Sequence, residues 1–152
     1  MYKNDSYRYS VRFPAGWSVA DGTVQNGTFD VKAQFTPISG GEVSELSITT
    51  IPQYINVSIL EKKEIEQVIL NLLSARYQSM RLLESSSVSY RLIKFYCYRF
   101  AYQKDGVSMF VLTAMTTKMF ANTQLVLCHY PQESKELIEK DFYYMLSSFR
   151  RN

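Results

Sequence analysis

Leu92-Ile93-Lys94-Phe95-Tyr96-Cys97-Tyr98-Arg99-Phe100-Ala101-Tyr102-Gln103 runs through Asp105-Gly106 into Val107-Ser108-Met109-Phe110-Val111-Leu112-Thr113-Ala114-Met115, and this stretch decides the fold. Asp-Gly between two β-rich runs is a strong hairpin signal, because a two-residue type I′ turn needs positive φ at both central positions. Side chains alternate across a strand, so Tyr96, Tyr98, Phe100 and Tyr102 share one face, and Ile93, Phe95, Cys97 and Ala101 share the other. In the partner strand Val107, Met109, Val111 and Met115 oppose Phe110, Leu112 and Ala114. Both faces of this hairpin are apolar. Such strands must be covered on both sides.

Two amphipathic helices are available to cover them. Upstream, Ser58 and Glu61 have the spacing of a capping box, and Ile65, Val68, Ile69, Leu72, Leu73 and Tyr77 make a helical stripe of about five turns. Lys62 and Glu66 are spaced for a surface ion pair. Downstream, a strand over Thr123 to Cys128 leads to Pro131, which suits the first turn of a helix, and to a stripe of Leu137, Ile138, Phe142, Met145, Leu146 and Phe149. A further strand falls over Met80 to Ser87. Nearer the N-terminus, Tyr7 to Phe13, Trp17 to Ala20, Phe29 to Phe35 and Leu46 to Ile51 read as strands, punctuated by Pro14, Gly16, Asp21-Gly22, Asn26-Gly27, Gly40-Gly41 and Pro52. The first and third alternate apolar with polar, which places Arg8 and Arg12, and Asp30 and Lys32, on wet faces. The expectation is an α+β fold, a mainly antiparallel β-sheet with helices packed on both faces. With no linker, repeat or low-complexity tract, residues 1–152 read as a single domain.

Composition agrees. A chain of 152 residues buries about 70% of its unfolded surface on folding, enough for a real core. Hydrophobic residues are 46% and charged residues 20%, with twelve Tyr and nine Phe, a bias that favours half-buried strands. The net charge of +3 is spread out, and no basic run exceeds Lys62-Lys63 or Arg150-Arg151, which excludes a nucleic-acid footprint. No apolar stretch reaches the length of a membrane-spanning helix, and Met1-Tyr2-Lys3-Asn4-Asp5 has no signal-peptide core. With Met1 as the native start the chain is expected to be cytoplasmic. Behind a trimmed leader it would be an extracytoplasmic, envelope-anchored domain.

The order of elements and two end motifs resemble a known family. Tyr7-Arg8-Tyr9-Ser10-Val11-Arg12-Phe13-Pro14-Ala15-Gly16-Trp17 is similar to the aromatic strand, Pro and Gly-Trp opening of PsbP-like and DcrB-like proteins. Phe142-Tyr143-Tyr144-Met145-Leu146-Ser147-Ser148-Phe149 resembles their last helix, which ends in a Ser-Phe pair. The resemblance covers nearly the whole chain and implies a PsbP-like α/β/α sandwich. That family includes an extrinsic photosystem subunit, a Ran-binding import factor, bacterial envelope lipoproteins and chaperones of secreted toxins, so it implies a scaffold that binds other proteins. It shares no catalytic residues, and fold alone assigns no function. Photosystem binding is not expected, because its specific ligand residues match no positions in this chain.

The residues themselves carry little chemistry. His129 is the sole histidine, which leaves no room for most Ser-His, Cys-His or zinc arrangements, and as a strand residue it faces away from Cys128. Cys97 and Cys128 read as buried structural thiols. Acidic residues are scattered or lie on helix faces, and Gly40-Gly41 lacks the lysine and helix of a phosphate loop. No catalytic residue, metal or cofactor is expected, and Trp17 reads as structural. Asn4-Asp5-Ser6, Asn26-Gly27-Thr28 and Asn56-Val57-Ser58 match the glycosylation pattern, which matters only in a eukaryotic secretory setting. Arg99 stands alone on an apolar face, so it must reach an edge, pair with a carboxylate or meet a ligand. Arg8, Arg12 and Lys32 mark a candidate partner-binding face. The expected function is a noncatalytic module that docks a protein partner. The alternative is a carrier of a small apolar ligand, held in a cavity between the Tyr96 to Tyr102 face and a helix.

Overall fold

A computed structural model of the chain describes residues 1–21, 29–38, 40–52, 62–73, 77–118 and 122–152. In chain order its elements are β1 (Tyr2–Asn4), β2 (Tyr9–Val11), β3 (Ser18–Asp21), β4 (Val31–Phe35), β5 (Ser44–Ile51), α1 (Lys62–Leu73), β6 (Arg81–Tyr90), β7 (Ile93–Lys104), β8 (Val107–Lys118), β9 (Asn122–Pro131), α2 (Lys135–Ser148) and β10 (Arg150–Arg151). A 3-10 turn, Gln132–Ser134, leads into α2. The main sheet has the order β3-β4-β5-β9-β8-β7-β6, and a small sheet has the order β1-β2-β10. Every pairing in both is antiparallel.

The central hairpin forms as its sequence requires. Tyr96 pairs Met115 at one end and Lys104 pairs Val107 at the other, with Asp105 and Gly106 at φ 51° and 80° in the turn. Its two apolar faces belong to two cores. Tyr98, Phe100, Tyr102, Met109, Val111 and Met115 pack with Ile65, Ile69 and Leu73 of α1. Phe95, Cys97, Leu112 and Ala114 pack with Ile138, Phe142, Met145 and Leu146 of α2. The fold is therefore α+β, a mainly antiparallel sheet with one helix on each face.

Three sequence readings change. Tyr7 to Phe13 is not one strand of the main sheet. Only Tyr9–Val11 is extended there, and it lies in the small sheet between β1 and β10. All three residues are buried, because partners on both edges and α2 beneath override the alternation. Pro131 closes β9 rather than opening the helix, and its own ψ of 146° is extended. In α1 the buried positions are Ile65, Ile69 and Leu73, while Leu72 is exposed. The capping box at Ser58 and Glu61, the Asn26-Gly27 turn and the acceptor patterns at Asn26 and Asn56 lie outside the described residues.

Phe149 explains the Ser-Phe ending. Its ring stacks on Tyr9 at 5.1 Å and meets Phe95 edge-on at 5.6 Å, so it joins the small sheet to the main one. Ser148 adds a polar tie. Its hydroxyl accepts from Arg12 N at 2.8 Å and lies 2.6 Å from Met145 O, fixing the strand end at Arg12 to the last turn of α2.

Candidate functional site

Three polar groups, the buried Asp30 and the partly buried His129 and Arg99, are each held by the fold. Asp30 accepts from Tyr9 OH at 2.6 Å and Thr50 Oγ1 at 2.5 Å, while Tyr2 OH donates to its carbonyl at 3.1 Å. Burial, and then the bond to Asp30, raises the Tyr9 pKa, so the phenol stays a donor. His129 Nδ1 lies 2.7 Å from Tyr77 OH, and the Tyr77 ring packs on Tyr102 at 5.0 Å. That imidazole braces the segment after α1 against the sheet, on the side away from Cys128.

Arg99 forms the third group. It grips Glu139 through Nε at 3.2 Å and through Nη2, and its Nη1 meets Glu84. Tyr130 OH donates to Glu139 Oε2 at 2.6 Å, and Lys135 approaches the other oxygen at 3.8 Å. Burial alone would lower the Arg99 pKa, but the hydrogen bond and charge of Glu139 outweigh it and the net shift is upward. This planar, two-pronged pair is the geometry in which arginine is strongest. Glu139 is the partner that sequence reasoning missed. It sits in an amphipathic helix with many charged neighbours, and only the register of α2 over β7 singles it out.

The thiols are also structural. Cys97 and Cys128 are free and buried, and β8 runs between their strands, so they stand about two strand spacings, roughly 10 Å, apart, too far for a disulfide. Burial pushes the Cys97 thiol from 9.0 up to about 12. Burial, and then nearby carboxylates, also holds Cys128 well above its ordinary value. A thiol-specific disulfide reagent at pH 8 is therefore expected to find neither cysteine in the folded chain and both after denaturation. The sign of the pH effect follows. The folded pKa lies above the unfolded one, so this contribution is complete below pH 9 and is lost as pH rises toward 12. Each such group then costs up to about 1.4 kcal/mol per pH unit. A denaturation midpoint that stayed constant from pH 9 to pH 11 would contradict the burial of Cys97.

Among the described residues an apolar groove of about 300 Å³ lies between α1 and the sheet, lined by Phe29, Ile51, Leu72, Leu73, Leu125 and Leu127 with Ser47 and Thr49. It is not where the sequence placed a cavity. The Tyr98, Phe100 and Tyr102 face is filled by α1 itself, and the groove lies farther along the sheet, over β5 and β9.

The predicted partner-face residues come from three different segments. Arg8 is in a turn at φ 57°, and its carbonyl accepts from Asn152 N at 2.8 Å. Lys32, on the main sheet, is paired with Glu45 at 3.0 Å. Arg12, just beyond β2, is exposed. It lines an open cleft of about 720 Å³ together with Tyr90, Arg91, Tyr144, Ser148 and Arg150, and among the described residues no Asp or Glu contributes to its walls. Arg91 and Arg150 were not predicted as site residues, since nothing local in the sequence brings three distant arginines together.

No protein-family model matches the chain, and no curated protein does. Solved structures do match. The cyanobacterial PsbP (CyanoP) of Synechocystis sp. PCC 6803 is similar over 99% of this chain and 91% of its own, with TM-score 0.71 and 14% identity. LpqN of Mycobacterium tuberculosis, involved in cell envelope biogenesis, is similar over 93% of this chain and 81% of its own, with TM-score 0.64 and 7% identity. The Ran-binding protein Mog1p of Saccharomyces cerevisiae is similar over 99% of this chain and 93% of its own, with TM-score 0.64 and 9% identity. The fold is PsbP-like. At these identities the likeness is one of fold.

Proposed function

We propose that this chain is a noncatalytic accessory module that binds another protein through its surface. The observation that carries this reading is how its polar groups are used. Asp30, Glu139, Arg99 and His129, the groups that could have done chemistry inside, are engaged with one another or with tyrosines and a threonine of the fold. Arg12 and Arg91, by contrast, stand at the surface with no ion pair among the described residues. Catalytic sites keep convergent polar groups with pKa values poised near neutrality, whereas Tyr9, Cys97 and Cys128 are shifted away from it. The Ran-binding neighbour supports a protein-binding role.

One observation favours a second reading. The groove beside Leu72 and Leu125 is apolar and about 300 Å³, at the lower end of ligand-pocket volumes, and suits a small apolar molecule. A single experiment separates the two. The tagged chain is captured from its own organism, co-purifying proteins are reconstituted from purified components by calorimetry, and an organic extract of the chain is analysed by mass spectrometry. The accessory-module reading expects a saturable, stoichiometric protein pair. A molar equivalent of an apolar compound, with no protein pair reconstituted, would replace it with the carrier.

A further inference from the structure

The cleft at Arg12 concentrates positive charge in a chain that otherwise mixes its charges. Arg12 comes from the end of β2, Arg91 from the turn joining β6 and β7, and Arg150 from β10 just after α2. Among the described residues no carboxylate lies within ion-pair distance of any of the three. Three arginines in one small cleft equal the formal net charge of the whole chain, +3. Like charges repel, and no ion pair among the described residues offsets that repulsion.

Their placement is nonetheless fixed. Ser148 ties the Arg12 backbone to α2, and Arg150 Nη1 donates to Ser147 O and Phe149 O at 2.9 and 2.7 Å, leaving Nε and Nη2 without a partner among the described residues. The turn at Arg91 is more telling. Arg91 and Leu92 are its two central residues, at φ 49° and 73°, where Asn-Gly would sit without strain. The chain instead carries two residues that favour other backbone conformations, at an energetic cost. Neither side chain is used inside, since Arg91 is exposed and Leu92 is fully so. Tyr144, half exposed, stands on the α2 wall of the same cleft.

We infer that this cleft docks an acidic segment of a partner protein, its carboxylates meeting Arg12, Arg91 and Arg150 and its apolar side chains meeting Leu92 and Tyr144. Arginine and tyrosine are the residues that interfaces favour, and a patch of one sign with no internal counterion selects partners of the other. The inference rests on the protein-binding reading above and names the chemistry of the partner.

The test uses a fluorescent oligoglutamate peptide, with oligoglutamine, inorganic phosphate and vesicles of phosphatidylcholine with phosphatidylglycerol as parallel probes. Anisotropy should show binding of oligoglutamate that weakens from low to physiological salt, as exposed charges are screened beyond about 8 Å there. Oligoglutamine should not bind. Arg12→Glu with Arg91→Glu should weaken the peptide about tenfold or more, because reversal turns two attractions into repulsions. Arg91→Asn with Leu92→Gly should weaken it too, while the melting temperature holds or rises as the turn strain is relieved. That second variant separates lost docking from lost folding. Oligoglutamate that does not bind the wild type, or binds both variants unchanged, overturns the inference. So does arginine-dependent binding of phosphate or vesicles without the peptide, which would assign the cleft to a phosphate or a lipid surface. Failure of the broader reading looks different. A reconstituted partner that binds Arg12→Glu/Arg91→Glu normally removes this cleft but keeps the accessory module, whereas the absence of any partner removes the module.

Discussion

Replacing Arg99 with methionine is expected to destabilise the chain by about 3 to 5 kcal/mol, since it strands a buried carboxylate. Glu139 is only 8% exposed and sits between Arg99 and Tyr130, and Lys135, at 3.8 Å, is too distant and too solvated to replace the guanidinium. The loss is not the worth of the pair. Removing the whole cluster together, as Arg99→Met, Glu139→Leu and Tyr130→Phe, is expected to recover much of it, because an apolar replacement leaves no orphaned charge or hydroxyl. Chemical denaturation of the single and triple variants measures both. If the single substitution costs under about 1 kcal/mol, Glu139 is not held as described.

The second large effect is at Trp17. Its ring is 8% exposed and packs on Phe35 at 5.6 Å, and its Nε1 donates to Asp141 Oδ2 of α2 at 2.9 Å. Gly16 makes this possible at φ 91°, a backbone conformation that residues with a Cβ rarely adopt. Trp17→Ala is expected to cost about 3 to 5 kcal/mol through the cavity it leaves. Trp17→Phe keeps much of the packing and loses the hydrogen bond, for about 1 kcal/mol. An unchanged melting temperature in the alanine variant would mean that the opening segment is not anchored on α2.

The layers were legible because the β7–β8 hairpin is apolar on both faces and its turn is Asp-Gly. Periodicity over a dozen residues is a physical record of which sides are covered. Tyr2–Asn4 and Arg150–Arg151 left no such record. Strands of two or three residues hold no period, and these form only because β2 offers each an edge. The β6–β7 turn was hidden for another reason, since Arg91-Leu92 contains neither glycine nor asparagine. Arg99 was conspicuous as a charge on an apolar strand face, yet its partner Glu139 was not, being one acid among several on α2. Arg12 was legible as a wet residue of an alternating segment. Its convergence with Arg91 and Arg150 depends on tertiary placement at the end of α2, and no local pattern encodes that.

A chain that works through its surface at the end of α2, rather than through an interior site, responds to its ligand there. The most direct measurement is a heteronuclear NMR titration of the full chain with the oligoglutamate peptide, read residue by residue. The amide signals of Arg12, Arg91, Leu92, Ser148 and Arg150 are expected to shift together and saturate, while those of Leu72, Leu73, Leu125 and Leu127 stay in place. Shifts centred on that second group, or spread evenly over the sheet, or absent altogether, would contradict it.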